Sequence, residues 1–187
     1  MSDLQDYSGE FRSNLKLQDF SKDALVRLWR ATNKLYVGID GIWYGLVKDK
    51  FGKEVALELE RQVWRTNEIM EAKRVDEAMN IRGDDISAVF KFFQIDPGIG
   101  GIMETEYELR DKKHGIFTVR RCQSLEYFER HGETEMQKFV CGTLDVLGYQ
   151  ELVREYFSPK IRMTPLKLPP RKSRDEIACQ WELKVEA

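Results

Sequence analysis

From Leu25 to Val47, apolar and near-apolar positions recur at spacings of three and four. Leu25, Leu28, Trp29, Thr32, Tyr36, Ile39, Trp43, Leu46 and Val47 fall on one stripe of a long helix. Ser21 is a good N-cap and Asp23 puts a carboxylate in the first turn, so the helix is predicted over roughly residues 21–50. Gly38, Gly41 and Gly45 interrupt it, each costing up to about 1 kcal/mol relative to alanine. Close packing of a neighbouring helix or strand is the expected reason for them, and a thinned face for a ligand or a bend is the alternative. Gly52 closes this helix. A second is predicted over 53–80, with Val55, Leu59, Val63, Trp64, Ile69, Met70 and Val75 as its apolar positions. Arg82-Gly83-Asp84-Asp85 then reads as a turn whose aspartates cap a short helix carrying Ile86, Val89, Phe90 and Phe93. An adhesion reading of Arg82-Gly83-Asp84 needs an exported protein, and the context favours a helix start.

The period changes after Asp96-Pro97-Gly98. Met103, Thr105, Tyr107 and Leu109 alternate with Glu104, Glu106 and Glu108, which predicts a strand over 102–110 with one acidic face. The turn residues 111–115 return the chain as a second strand over 116–121. The three glutamates are expected to form cross-strand ion pairs with Arg120 or Arg121, ahead of any role as paired catalytic carboxylates. Residues 124–130, 134–147 and 149–157 read as helical. Residues 161–168 and 175–186 read as strands, the last with Ile177, Cys179, Trp181, Leu183 and Val185 on one face. Helices, hairpin, helices, hairpin is the order of an α+β fold: an N-terminal helical layer (1–97) and an antiparallel sheet of two hairpins with intervening helices (98–187), integrated into one domain.

Composition adds limits. With 42% hydrophobic and 11% aromatic residues, the 187-residue chain can build a core, which excludes intrinsic disorder. Thirty Lys plus Arg against 32 Asp plus Glu leave a net charge of −2, without the basic excess of a nucleic-acid binder. Met1–Glu10 is acidic and polar, and no apolar run is long enough to span a membrane, so the expected location is the cytoplasm. Three cysteines in a chain of this size do not form a disulfide framework.

No phosphate-binding glycine loop, Cys-x-x-Cys or His-Glu-x-x-His occurs, and His114 and His131 alone cannot build a multi-histidine metal site. What remains is Cys122, Cys141 and Cys179, each on a different element of the C-terminal half. Brought together, they would offer soft ligands for zinc or iron, or a nucleophile helped by His131 or Asp145 as acid/base. Asp145 stands four residues after Cys141, on the same helix face. Cysteine is also among the most buried residue types, so three inert core thiols satisfy the same pattern.

Three segments carry a family resemblance. Cys122-Gln-Ser-Leu-Glu-Tyr-Phe opens a helix, Phe139-Val-Cys141-Gly-Thr-Leu-Asp145 follows, and Glu176-Ile-Ala-Cys179-Gln-Trp181 lies in the final strand. Their order resembles the superfamily of proteins similar to L-2-amino-thiazoline-4-carboxylic acid hydrolase, in a branch whose chains begin with long helices. The closing strand is also similar to that of 4-vinyl reductase-type ligand-binding domains. The resemblance covers roughly residues 100–187. It implies an α+β domain with a ligand pocket between sheet and helices, and hydrolysis of a carbon–sulfur or carbon–nitrogen bond. Ile177-Ala178 departs from the glycine and acidic residues that usually precede the last cysteine, and 166–171 (Leu-Lys-Leu-Pro-Pro-Arg) is peculiar to the helical branch.

Two expectations follow. The first is a small-molecule or metal-binding protein, possessing hydrolase activity or not, with Cys122, Cys141 and Cys179 lining a pocket. Arg120, Arg121 or Arg171 would hold an anionic group of the ligand. The second is a non-catalytic scaffold or homodimerisation module, with Trp29, Trp43 and Trp64 anchoring contacts to a second chain.

Overall fold

The computed structural model describes residues 3–186; Met1, Ser2 and Ala187, at the ends of the two regions predicted above, lie outside them. Helix α1 (Lys22–Phe51) starts at the expected cap, where Ser21 Oγ accepts from the Ala24 N–H at 3.2 Å. Helix α2 (Lys53–Met79) turns back against it. Gly52 makes the reversal with a φ of 89°, a conformation that side chains disfavour.

The apolar stripe of α1 is split by this arrangement. Leu25, Trp29, Tyr36, Trp43 and Val47 turn toward the interior and are half-buried, while Leu28, Ile39 and Leu46 are exposed. The middle of the buried face belongs to Asn33, Asp40 and Tyr44 instead. The expected packing against Gly38, Gly41 and Gly45 is absent: a Cβ at any of the three would meet nothing within 4 Å. Trp64 serves the hairpin itself, donating from Nε1 to Glu60 Oε1 at 3.2 Å and meeting Tyr36 edge-on at 6.0 Å.

Helix α3 (Ile86–Ile95) is capped by Asp85, whose Oδ1 accepts from the Ala88 N–H at 3.1 Å. Strands β1 (Met103–Asp111) and β2 (His114–Cys122) form the first hairpin, and β3 (Ile161–Lys167) and β4 (Cys179–Val185) pair after it. All neighbours are antiparallel in the order β1-β2-β4-β3, so the fold is α+β. Between the hairpins run α4 (Gln123–His131), α5 (Thr134–Phe139) and α6 (Asp145–Leu152). The predicted break near residue 148 does not occur. Residues 134–157 form one helical rod, widened by π turns at Val140–Leu144 and Val153–Phe157.

The core lies between the sheet and these helices. Phe93 of α3 packs on Phe117 of β2 at 5.1 Å and on Tyr149 of α6 at 5.7 Å, and Tyr149 meets Trp181 of β4 edge-on at 5.2 Å. The other sheet face is polar, with Glu106–Arg120 paired at 2.9 Å and Gln180 donating to Thr118 Oγ1 at 2.9 Å. Among the described residues, no helix is long and apolar enough to cross a membrane.

Candidate functional site

The alternation of the strands and the widening of the helix bring the three thiols together. Cys122 ends β2 and precedes α4, and Cys179 opens β4, opposite Val119 in the β2–β4 register. Cys141 sits in the first π turn, where the Asp145 N–H reaches back five residues to the Val140 carbonyl. Such widened turns concentrate at functional sites. Cys122, Cys141, Cys179, Asp145, Tyr149 and Trp181 all line one cavity of about 20 Å³, closed on its apolar side by Leu125 and Leu168. That is room for one water molecule, so an organic ligand enters only if the lining moves.

Among the described residues, no lysine, arginine or histidine lines the cavity. Asp145 makes no hydrogen bond or ion pair through its side chain among the described residues, and burial pushes its carboxyl up to about 7. Burial raises the thiols too, with Asp145 adding to the effect. Cys122 is pushed up to about 11, Cys179 to about 12 despite the Trp181 Nε1–H that donates to its sulfur at 3.2 Å, and Cys141 higher still. All three are therefore protonated thiols at neutral pH, unlike the low-pKa cysteines that act as ready nucleophiles. Tyr149 is held protonated by the same burial.

Asp145 thus joins the thiols, while His131 and the three arginines lie elsewhere. His131 is exposed at the end of α4, with Nδ1 2.9 Å from the Tyr127 carbonyl and its ring stacked on Tyr127 at 4.1 Å. Arg120 is exposed and paired with Glu106; Arg121 lies 3.8 Å from Glu104 and 3.7 Å from Glu126. Arg171 donates from Nε and Nη2 to the two carboxylate oxygens of Glu129, both at 2.8 Å. None of the four lines the cavity. Nor do the thiols assemble a zinc or iron set: among the described residues, no three His, Cys, Asp or Glu side chains stand where they would hold a metal ion.

Sequence reasoning missed the acids behind the cavity. Glu68 of α2 reaches over Gly148 of α6, and its carboxyl is pushed up to about 8, first by burial and then by the charge of Asp145. Farther along the hairpin, Asp40 and Glu60 share a hydrogen bond, as do Glu71 and Asp96, so each pair must retain a proton to form it. Tyr36 donates to Glu71 at 2.9 Å, and Asn67 donates to Tyr36. One signal was present: Glu60, Trp64, Asn67 and Glu71, at spacings of four, three and four, form a polar stripe with the helical period.

Residues 18–185 match a family described as a family of unknown function (DUF6125). No curated protein and no solved structure matches the chain.

Proposed function

We propose that this chain, which belongs to the DUF6125 family, binds a small neutral or cationic organic molecule in the cavity lined by Cys122, Cys141, Cys179 and Asp145. One observation carries the reading: the half-buried Asp145 carboxyl stands beside three thiols without a hydrogen-bond or ion-pair partner, in a cavity that no lysine, arginine or histidine lines among the described residues. A carboxyl withdrawn from much of its water without a partner costs free energy, and a ligand with N–H donors would satisfy it. An anionic ligand is disfavoured by the same carboxyl, which replaces the expectation built on the arginines. The π turn at Val140–Leu144, which carries Cys141 into the lining, is the element whose rearrangement would admit the ligand.

Hydrolysis of a carbon–sulfur or carbon–nitrogen bond is the second reading, favoured by the position of Asp145. A carboxyl that titrates near neutral pH is suited to exchange a proton. It would accept the proton of a neighbouring thiol as that sulfur adds to the C=N carbon of the ligand and the C=N electron pair moves to nitrogen. Returning the proton to the departing nitrogen or sulfur would break its bond to that carbon, and water would then displace the thiol. A cytosolic, reducing setting belongs to the same proposal, supported by three unpaired thiols.

The test uses the full chain with 2-aminothiazoline and acetamidine as probes, followed by calorimetry and native mass spectrometry. Saturable one-to-one binding that weakens at least roughly tenfold in Asp145→Asn, and again in Cys141→Ser, is the expected result. If neither probe binds and the chain isolated from cells carries no small molecule, the thiols are an inert core and the proposal fails. Stoichiometric zinc or iron that disappears in Cys141→Ser would replace the organic ligand with a metal ion.

A further inference from the structure

Helix α1 carries one wide apolar arc, and only part of it is turned toward the interior. At about 100° per residue, Leu28, Leu35, Ile39, Ile42 and Leu46 lie on the side opposite Asn33, Asp40 and Tyr44. Leu35 and Ile39 are each 70% exposed, Ile42 and Leu46 each 65%, and Leu28 46%. No charged residue interrupts this stripe between Leu28 and Leu46. We infer that the stripe is the interface of a homodimer, in which α1 of one copy packs antiparallel against α1 of a second.

Three features select a second copy as the occupant. The first is symmetry. Leu35, Ile39, Ile42 and Leu46 read the same in both directions, in residue type and in spacing. A two-fold axis between Ile39 and Ile42 therefore sets Leu35 against Leu46 of the copy and Ile39 against its Ile42, the self-complementary pattern an isologous interface requires. The second is shape. Ala31, Gly38 and Gly45 repeat every seventh residue along one flank, and a Cβ at either glycine would meet nothing within 4 Å. Antiparallel pairing brings this flank of each helix against the same flank of the other, so the backbones can approach to the close end of helix packing, about 8 Å.

The third feature is charge and area. Lys34 borders one end of the stripe and Asp49 the other, and neither has an ion-pair partner within the chain among the described residues. The antiparallel arrangement sets Lys34 beside Asp49 of the copy at both ends; a parallel one would bring like charges level. The five exposed side chains offer about 600 Å² per copy, so the pair buries about 1,200 Å², the lower end of a stable interface. The expected complex is consequently a concentration-dependent dimer. It differs from the anticipated one, since Trp29, Trp43 and Trp64 are half-buried within the chain and the contact falls to leucine and isoleucine.

Sedimentation velocity of the full chain up to roughly 100 µM tests this, a range in which even a weak interface assembles. The expected species has twice the 22.0 kDa chain mass. Ile42→Glu, on a side chain that is exposed in the single chain, should keep the circular dichroism of the folded protein and weaken association roughly 100-fold or more. Orientation is read by cross-linking. Leu35→Cys combined with Leu46→Cys should form an intermolecular disulfide rapidly, and Leu35→Cys alone should not. A monomer throughout the concentration range overturns the inference, as does a dimer unaffected by Ile42→Glu. A monomer that instead co-sediments with phosphatidylglycerol vesicles would assign the stripe to a membrane surface and overturn it equally. Rapid cross-linking of Leu35→Cys alone would overturn the antiparallel arrangement.

Discussion

Gly148 of α6 leaves the space into which Glu68 of α2 extends its carboxyl, and a methyl group there would collide with Glu68 Oε1. The hairpin and the helix that carries Asp145 thus meet at a glycine facing an acid. Gly148→Ala is expected to push the flexible end of Glu68 aside and to destabilise the fold by about 1 kcal/mol, below the usual cost of overpacking a rigid core. In a Glu68→Ala background the same change should cost much less, because the colliding group is gone. Urea denaturation of the four proteins measures the coupling, and additive costs would mean that the two residues do not touch.

Stability should fall as pH rises from about 4 to about 8. An unfolded carboxyl loses its proton near pH 4, whereas native Asp145 keeps its own to about 7 and Glu68 to about 8. Across that window the native chain holds more protons than the unfolded one, so each unit of pH favours unfolding. Full expression would cost on the order of 4 kcal/mol per group, at about 1.4 kcal/mol for each pH unit between the two pKa values. Urea midpoints between pH 4 and 9 should show the decline, levelling off above 8. Asp145→Asn and Glu68→Gln should each flatten it; an unchanged slope in both would refute the burial argument.

The element plan was largely legible because it depends on local signals. Ser21 caps α1, Gly52 ends it, and the alternation of Met103–Leu109 gives β1 its two faces. Which side of α1 is covered was not legible, because Leu28, Ile39 and Leu46 share one apolar arc with Trp29, Tyr36 and Trp43. Periodicity identifies an apolar side without saying what lies against it. Within the site, the meeting of Cys122, Cys141 and Cys179 and the place of Asp145 followed from motif order and helical spacing. His131 and the arginines lie outside the cavity lining because their partners are set by the tertiary fold: Arg171 finds Glu129, 42 residues away. The buried acids were hidden for the opposite reason, since a carboxylate in a helix ordinarily reads as solvated surface.

Gly41 lies within α1 with open space where its Cβ would be. Nothing in the fold requires glycine there, and an alanine would restrict the unfolded chain and favour the helix. Gly41→Ala should therefore stabilise the protein by about 0.5–1 kcal/mol. A rise in thermal midpoint without a change in oligomeric state is the expected observation. A loss of stability would show that a neighbour packs against this glycine after all.

Arg171 and Glu129 form the clasp that holds residues 168–178 over the thiol cavity. The Arg171 side chain is 1% exposed, and besides its two bonds to Glu129 it donates to the carbonyls of Arg174 and Glu176 at 3.2 and 3.4 Å. Leu168, Pro169 and Ala178, which lie at the ends of this loop, also line the cavity. Arg171→Gln leaves the Glu129 carboxylate without its counter-ion in a largely buried position, at a cost of about 3 kcal/mol. The loop is the element that this pair secures, so local opening should exceed global loosening. Alkylation of the native thiols with iodoacetamide is expected to be slow in the wild type, where burial keeps them protonated, and at least roughly tenfold faster in Arg171→Gln. Lys167→Gln provides the control. It removes a more exposed ion pair with Glu176 beside the same loop, 2.9 Å apart, and should change the rate little. Equal acceleration by both variants, or none by Arg171→Gln, would separate the clasp from the cavity and leave Arg171 a purely structural arginine.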